Sequence, residues 1–162
     1  MKKGTNSMLF IGIAGAILFL DLFLKYKIEQ GKGTSEKAKK LQQEVFRNKI
    51  IIDKCHNFGA IFNFGDKKPK TIKRISEVIV GCIIVAFALA LAKKKSPLYC
   101  FGMALLLGGS VSNTYDRIER GYVVDYFRFN IGWKKLKQII FNLADMFIIL
   151  GAIITLAAKI RE

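Results

Sequence analysis

Four apolar stretches of about membrane-crossing length, residues 8–24, 75–92, 98–115 and 139–158, dominate a chain of only 162 residues. A hydrocarbon core about 30 Å thick needs roughly 20 predominantly apolar residues in a helix. A segment crossing it must satisfy its own backbone hydrogen bonds, so four such runs predict four transmembrane helices and little room for another architecture. The expectation is an all-α, multi-pass membrane protein forming one domain over residues 1–162. Composition agrees only because its parts are segregated. The chain is 52% hydrophobic yet 24% charged, but residues 78–92 and 98–115 carry no charge while residues 25–74 are crowded with lysine.

The connections divide by length. Lys93, Lys94, Lys95, Ser96 and Pro97 make a tight turn between the second and third spans, because proline ends one helix and pre-sets the start of the next. The two longer connections, residues 25–74 and 116–138, then lie together on the other side as a small β-containing subdomain. Ala38, Leu41, Val45 and Phe46 recur at helical spacing among lysines, which reads as an amphipathic helix at the membrane surface or, equally, as a solvated lysine-rich loop with no docking role. Residues 50–52 read as a strand, and Gly121 to Val124 as a second short β-like run. Lys2 and Lys3 precede the first apolar run, but Phe23, Leu24, Lys25 and Tyr26 stand where a small-residue cleavage site would be needed, so that run is expected to remain as an anchor helix.

The formal net charge is +15, from 27 Lys and Arg against 12 Asp and Glu. A basic excess can serve nucleic acid, but these lysines flank apolar runs and accompany no recognition helix, RNA-binding signature or zinc spacing. Nucleic acid is therefore excluded as the expected partner, and anionic lipid headgroups are the nearer polyanion. Cys55, Cys82 and Cys100 are too scattered for a disulfide framework and read as small apolar fillers. A single histidine, His56, cannot build a multi-histidine metal site. Neither a metal nor a cofactor is expected. Sidedness is divided: with both termini inside, only seven of the 27 cations face the cytoplasm. That is against the positive-inside rule, although the short triple-lysine turn argues for it.

An ionisable residue in a span costs about 2.5–3.5 kcal/mol on insertion scales and is a functional-site hypothesis by default. Four aspartates qualify. Asp21 has Lys25 four residues on, the favourable orientation for an intrahelical ion pair, so both are expected to be structural. Asp116 shares a helical face with Asn113 and adjoins Arg117, which reads as a carboxylate held ionised for positioning. Asp125 and Asp145 have no such neighbour. Two unexplained carboxylates at one membrane boundary are the minimum kit for aspartic peptidase chemistry: the pair shares one proton, its ionised member takes a proton from water, and its protonated member donates to the scissile carbonyl oxygen. Asn142, three residues before Asp145 and expected on the same helical face, either orients the pair and substrate or makes an interhelical hydrogen bond.

Three sequence words sharpen this. Gly108-Gly109-Ser110-Val111-Ser112-Asn113-Thr114-Tyr115-Asp116-Arg117, then Gly121-Tyr122-Val123-Val124-Asp125-Tyr126-Phe127, then Phe141-Asn142-Leu143-Ala144-Asp145 resemble bacterial lipoprotein signal peptidase (signal peptidase II) in order and spacing. Asp21 with Lys25, and His56-Asn57-Phe58-Gly59-Ala60-Ile61-Phe62, are similar to two further family words. The resemblance implies catalytic aspartates at Asp125 and Asp145, and support or substrate-binding roles for Asn57, Asn113, Asp116, Arg117 and Asn142. It implies cleavage of a lipidated prolipoprotein just before its diacylglyceryl-modified cysteine. It also implies a monomer in the bacterial cytoplasmic (inner) membrane with its site near the extracytoplasmic face. Ser112 and Ile61 stand where the family usually has glycine and alanine, and residues 27–49 have no recognisable counterpart, as in a divergent paralogue. The alternatives are a catalytically inactive lipoprotein-binding paralogue and a small proton-coupled transporter.

Overall fold

The structure, a computed structural model, describes residues 6–31, 49–59, 66–130, 132 and 134–161. The expected surface helix around Ala38 to Phe46, and the Ala60 to Phe62 part of one sequence word, lie outside the described residues. Among the described residues, four long helices carry the fold: α1 (Ser7–Gln30), α2 (Pro69–Ala92), α3 (Pro97–Glu119) and, after a short turn of helix α4 (Lys134–Lys137), α5 (Leu143–Ile160). Among the described residues, α1, α2 and α5 are long and apolar enough to cross a membrane. The fourth long helix, α3, packs against the other three and is polar and buried along its C-terminal half.

Helix ends follow from local chemistry. Ser96 caps α3 by accepting from the Tyr99 N–H at 3.3 Å, with Pro97 as its first residue. The preceding turn closes through Lys94 at φ 49°, giving the expected hairpin of α2 and α3. The fourth span was expected from residue 139, but α5 begins only at Leu143. Asn142 is its N-cap, and Asp145 its third residue, in a reciprocal capping box. The physical reason is visible just upstream: Phe141 is extended and exchanges backbone hydrogen bonds with Phe127, so it cannot also be helical. Asn142 and Asp145 are thus linked through a cap rather than along one helical face.

Small residues let the helices approach. A Cβ on Gly109 would lie 2.5 Å from the Ala144 carbonyl oxygen, and one on Gly151 would lie 2.5 Å from the Leu106 nitrogen, so α3 and α5 are in backbone contact. Gly108 does the same against Ala14 of α1, where a Cβ would lie 2.7 Å from the carbonyl oxygen. The C-terminal ends of α1 and α3 therefore converge with the N-terminal end of α5.

Over that end lies an antiparallel pair, β1 (Ile50–Asn57) and β2 (Val123–Phe129). Both strands run further than the sequence pattern indicated. Gly121, at φ +81°, supplies the left-handed turn between α3 and β2 that a side chain would resist. The register pairs Ile52 with Phe127 but Cys55 with Asp125, so β1 carries one extra residue. That bulge sets which side chains of β1 face inward beyond it.

Candidate active site

Beneath the sheet lies a cavity of about 590 Å³, and both Asp125 and Asp145 line it. Asp125 arrives on β2 and is 3% exposed; Asp145 arrives on the first turn of α5. Each of the four carboxylate oxygens receives one hydrogen bond from the described residues. Asp125 Oδ1 accepts from Asn142 Nδ2 at 2.7 Å and Oδ2 from Asn57 Nδ2 at 3.0 Å. Asp145 Oδ1 accepts from Asn113 Nδ2 at 2.8 Å and Oδ2 from the Asn142 backbone N–H at 3.0 Å.

Every one of those amides is itself oriented. Asn142 Oδ1 accepts the Asp145 backbone N–H at 2.9 Å, so its Nδ2 must be the end facing Asp125. Asn57 Oδ1 accepts the Gly59 N–H at 3.0 Å, which turns its Nδ2 toward Asp125 as well. Asn113 Oδ1 accepts from Lys25 Nζ at 2.7 Å and from Asn142 Nδ2 at 3.1 Å, leaving its Nδ2 for Asp145. Asn142 therefore touches both carboxylates at once.

Lys25 and its carboxylates form a second, wholly buried layer. Lys25, Asp21 and Asp116 are each 0% exposed, and Lys25 Nζ lies 2.8 Å from Asp21 and 3.0 Å from Asp116. Asp21 also accepts from Ser112 Oγ at 2.6 Å and from the Ala144 N–H at 3.0 Å, which ties α1 to α3 and to the start of α5. The Tyr126 hydroxyl donates to Asp21 at 3.4 Å and accepts the Leu143 N–H at 3.0 Å. Asp116 does not pair with Arg117, the neighbour that sequence suggested. Adjacent residues on a helix point apart, and the partners of Asp116 are Lys25 and Arg120, the latter four residues on.

Arg117 instead reaches across to β1, donating to the Gly59 carbonyl at 2.9 Å and lining the cavity. Its Nε is buried with no partner among the described residues. Ser112, Arg120 and Tyr126 escaped sequence reasoning as site-building residues. Only Arg120 left a usable signal, its spacing of four from Asp116.

Electrostatics separates Asp125 from an ordinary carboxylate. Burial pushes its pKa up to about 7, the charge of Asp145 adds to this, and the hydrogen bonds from Asn57 and Asn142 oppose it. The Cys55 thiol, opposite Asp125 in the register and also lining the cavity, is pushed up by burial and by the Asp125 charge. It is thus held neutral, the reverse of what a nucleophilic cysteine needs.

The remaining lining joins the polar side chains of Ser76, Ser110, Thr114 and Gln138 to an apolar part made by Ile79 and Val80 of α2, Ile148 and Ile149 of α5, and Ile139 and Ile140 at the approach to α5. Two carboxylates bridged by Asn142 thus line one cavity with a partly apolar wall, an arrangement suited to acid–base hydrolysis of a bond next to an apolar segment.

Comparison with known proteins converges on one family. The family model described as signal peptidase (SPase) II matches residues 13–161. Lipoprotein signal peptidase of Caldanaerobacter subterraneus subsp. tengcongensis is 33% identical over 148 residues, covering 89% of this chain and 90% of the relative. That of a Janthinobacterium species is 30% identical over 166 residues, covering 99% and 93%. A solved bacterial membrane enzyme superposes with a TM-score of 0.80 at 25% identity, covering 99% of this chain and 93% of the other.

Proposed function

This chain belongs to the signal peptidase II family, and on that premise we propose that Asp125 and Asp145 are its catalytic dyad. It is an aspartic endopeptidase of lipoprotein processing and a multi-pass membrane enzyme. The substrate is a prolipoprotein whose signal segment lies in the apolar slot between α2 and α5, cut just before the lipid-modified cysteine. The single observation that carries the reading is the shared cage of amide donors in which Asn142 contacts both carboxylates.

The chemistry follows from one proton held between two acids. Burial and then the Asp145 charge push Asp125 up to about 7, so at neutral pH the pair holds one proton in common, and the step begins from the form with that proton on Asp125. Asp145 takes a proton from a water as that water's oxygen bonds to the scissile carbonyl carbon. Asp125 gives its proton to the carbonyl oxygen, so the intermediate is a neutral gem-diol. Collapse returns a proton to Asp125, breaks the C–N bond, and delivers the proton from Asp145 to the leaving amine. Asn57, Asn113 and Asn142 hold the two carboxyl planes. Arg117, with a spare buried donor, supports the substrate backbone, and Asp116 with Asp21 and Lys25 holds the helices that carry them.

The membrane is the bacterial cytoplasmic membrane, with the dyad near its extracytoplasmic face and the enzyme acting as a monomer. Anionic headgroups are the lipid partner. Lys67, Lys68, Lys70, Lys73 and Arg74 cluster where α2 enters its apolar stretch, at the same end of the bundle as the dyad. Raised salt should therefore weaken activity in anionic vesicles more than in neutral ones. The reaction itself is tested with purified enzyme and one prolipoprotein in lipidated and unlipidated forms. Cleavage of the lipidated form alone is the expected result, and equal cleavage of both contradicts it.

A further inference from the structure

Strand β1 presents two different faces past its bulge, and only one of them belongs to the cavity. Cys55 and Asn57 line the cavity, whereas Lys54 and His56, alternating with them as strand residues must, meet Glu29 in the last turn of α1. Lys54 Nζ lies 3.0 Å from Glu29 Oε2, and His56 Nε2 lies 2.7 Å from Glu29 Oε1. Both carboxylate oxygens are thus engaged, and because a carboxylate only accepts, His56 Nε2 carries a hydrogen there. The imidazole is further fixed by stacking on Tyr122 at a centroid distance of 4.1 Å, and Tyr122 is in turn flanked by Phe58 at 5.5 Å.

We propose that Glu29 is a positioning residue for the dyad, gripping β1 through Lys54 and His56 so that Asn57 on the opposite face presents its amide to Asp125. The inference rests on the catalytic assignment of Asp125 above. Glu29, Lys54 and His56 keep 22%, 35% and 36% of their side-chain exposure, so pairs of this kind add little to global stability. What they set is where the strand lies. Residue 57 is next to His56, and its Nδ2 is one of two side-chain donors to Asp125 among the described residues. Releasing Glu29 lets β1 drift from α1, and a displacement of Asn57 by about an ångström takes its amide beyond hydrogen-bond reach of Asp125 Oδ2.

The test is a mutant cycle on the full-length enzyme in vesicles, with cleavage of a lipidated prolipoprotein as readout and Asp125→Asn as reference. Glu29→Ala is expected to lower kcat by about five- to fifty-fold with KM nearly unchanged, as misplacement of a catalytic group does. In an Asn57→Ala background the same change is expected to lower kcat no further, since the donor it positions is already gone. A Lys54→Met, His56→Phe double variant, which keeps an aromatic ring on Tyr122 but removes both donors, should reproduce the effect and serves if Glu29→Ala does not fold. Equal losses from Glu29→Ala with and without Asn57 would overturn the proposal, as would full activity in Glu29→Ala or in the double variant. Retention of activity by Asp125→Asn would instead defeat the catalytic assignment.

Discussion

Asn142 places its side-chain amide 2.7 Å from Asp125 Oδ1 while its backbone N–H and its Oδ1 close a capping box on Asp145. One residue therefore fixes the start of α5 and the mutual placement of two carboxyl groups that come from different elements. Helix capping and the proposed positioning of the dyad are the same set of hydrogen bonds here.

Substitutions at Asn142 separate the two roles. Asn142→Asp keeps an acceptor for the Asp145 N–H but loses the donor to Asp125, so the enzyme should fold and lose about 10²- to 10³-fold in kcat, the scale of one oriented donor in a water-poor site. Asn142→Ala should add a cap loss of about 1 kcal/mol. Thermal unfolding alongside single-turnover cleavage distinguishes them, and an active Asn142→Asp enzyme would contradict the shared role.

Activity should persist to higher pH than in a dyad whose carboxyls titrate in the ordinary range, and fall only as pH passes neutrality. Asp125 is raised to about 7 by burial and by the Asp145 charge, so the singly protonated pair persists below that pH and both members ionise above it. The kcat/KM profile should bend near 7 and then drop about tenfold per pH unit. A profile flat through neutral and alkaline pH would be inconsistent with Asp125 as the proton donor.

Lys25 sits between Asp21 and Asp116 with all three side chains buried. Lys25→Met should cost about 3–5 kcal/mol, because removing one member of a buried ion cluster strands the others. It also frees the Asn113 amide that faces Asp145, so activity should fall even where the variant stays folded. Unfolding in detergent, followed by cleavage below the transition, measures both.

Much of this was legible in the sequence because the carboxylates are expensive. Asp21 and Lys25 stand four residues apart on one helix, and Asp125 and Asp145 stand out for lacking any cation beside them. What could not be read is contact between elements distant in sequence. Nothing in the local pattern says that Lys25 reaches Asn113 or that Tyr126 reaches Asp21, since these pairs meet only once α1, α3 and β2 have packed. The start of α5 is hidden in the sequence because residues 139–142 are apolar enough to extend the run, while the deciding fact is the bridge from Phe141 to Phe127.

The helix contacts behind that packing are testable at glycine. Gly109→Ala puts a methyl 2.5 Å from the Ala144 carbonyl oxygen, one residue before Asp145, and should cost about 1–3 kcal/mol with a loss of activity. Gly12→Ala and Gly15→Ala meet nothing within 4 Å and should leave both unchanged. Equal behaviour of the three variants would contradict the close approach of α3 and α5.

The most direct test is of the dyad. Asp125→Asn and Asp145→Asn, each in the full-length enzyme reconstituted in vesicles, are assayed for cleavage of a lipidated prolipoprotein. Each is expected to fold and bind substrate but to turn over at least about 10³-fold more slowly, since a single carboxyl can neither share the proton nor replace its partner. Turnover near the wild-type rate in either variant would contradict the dyad.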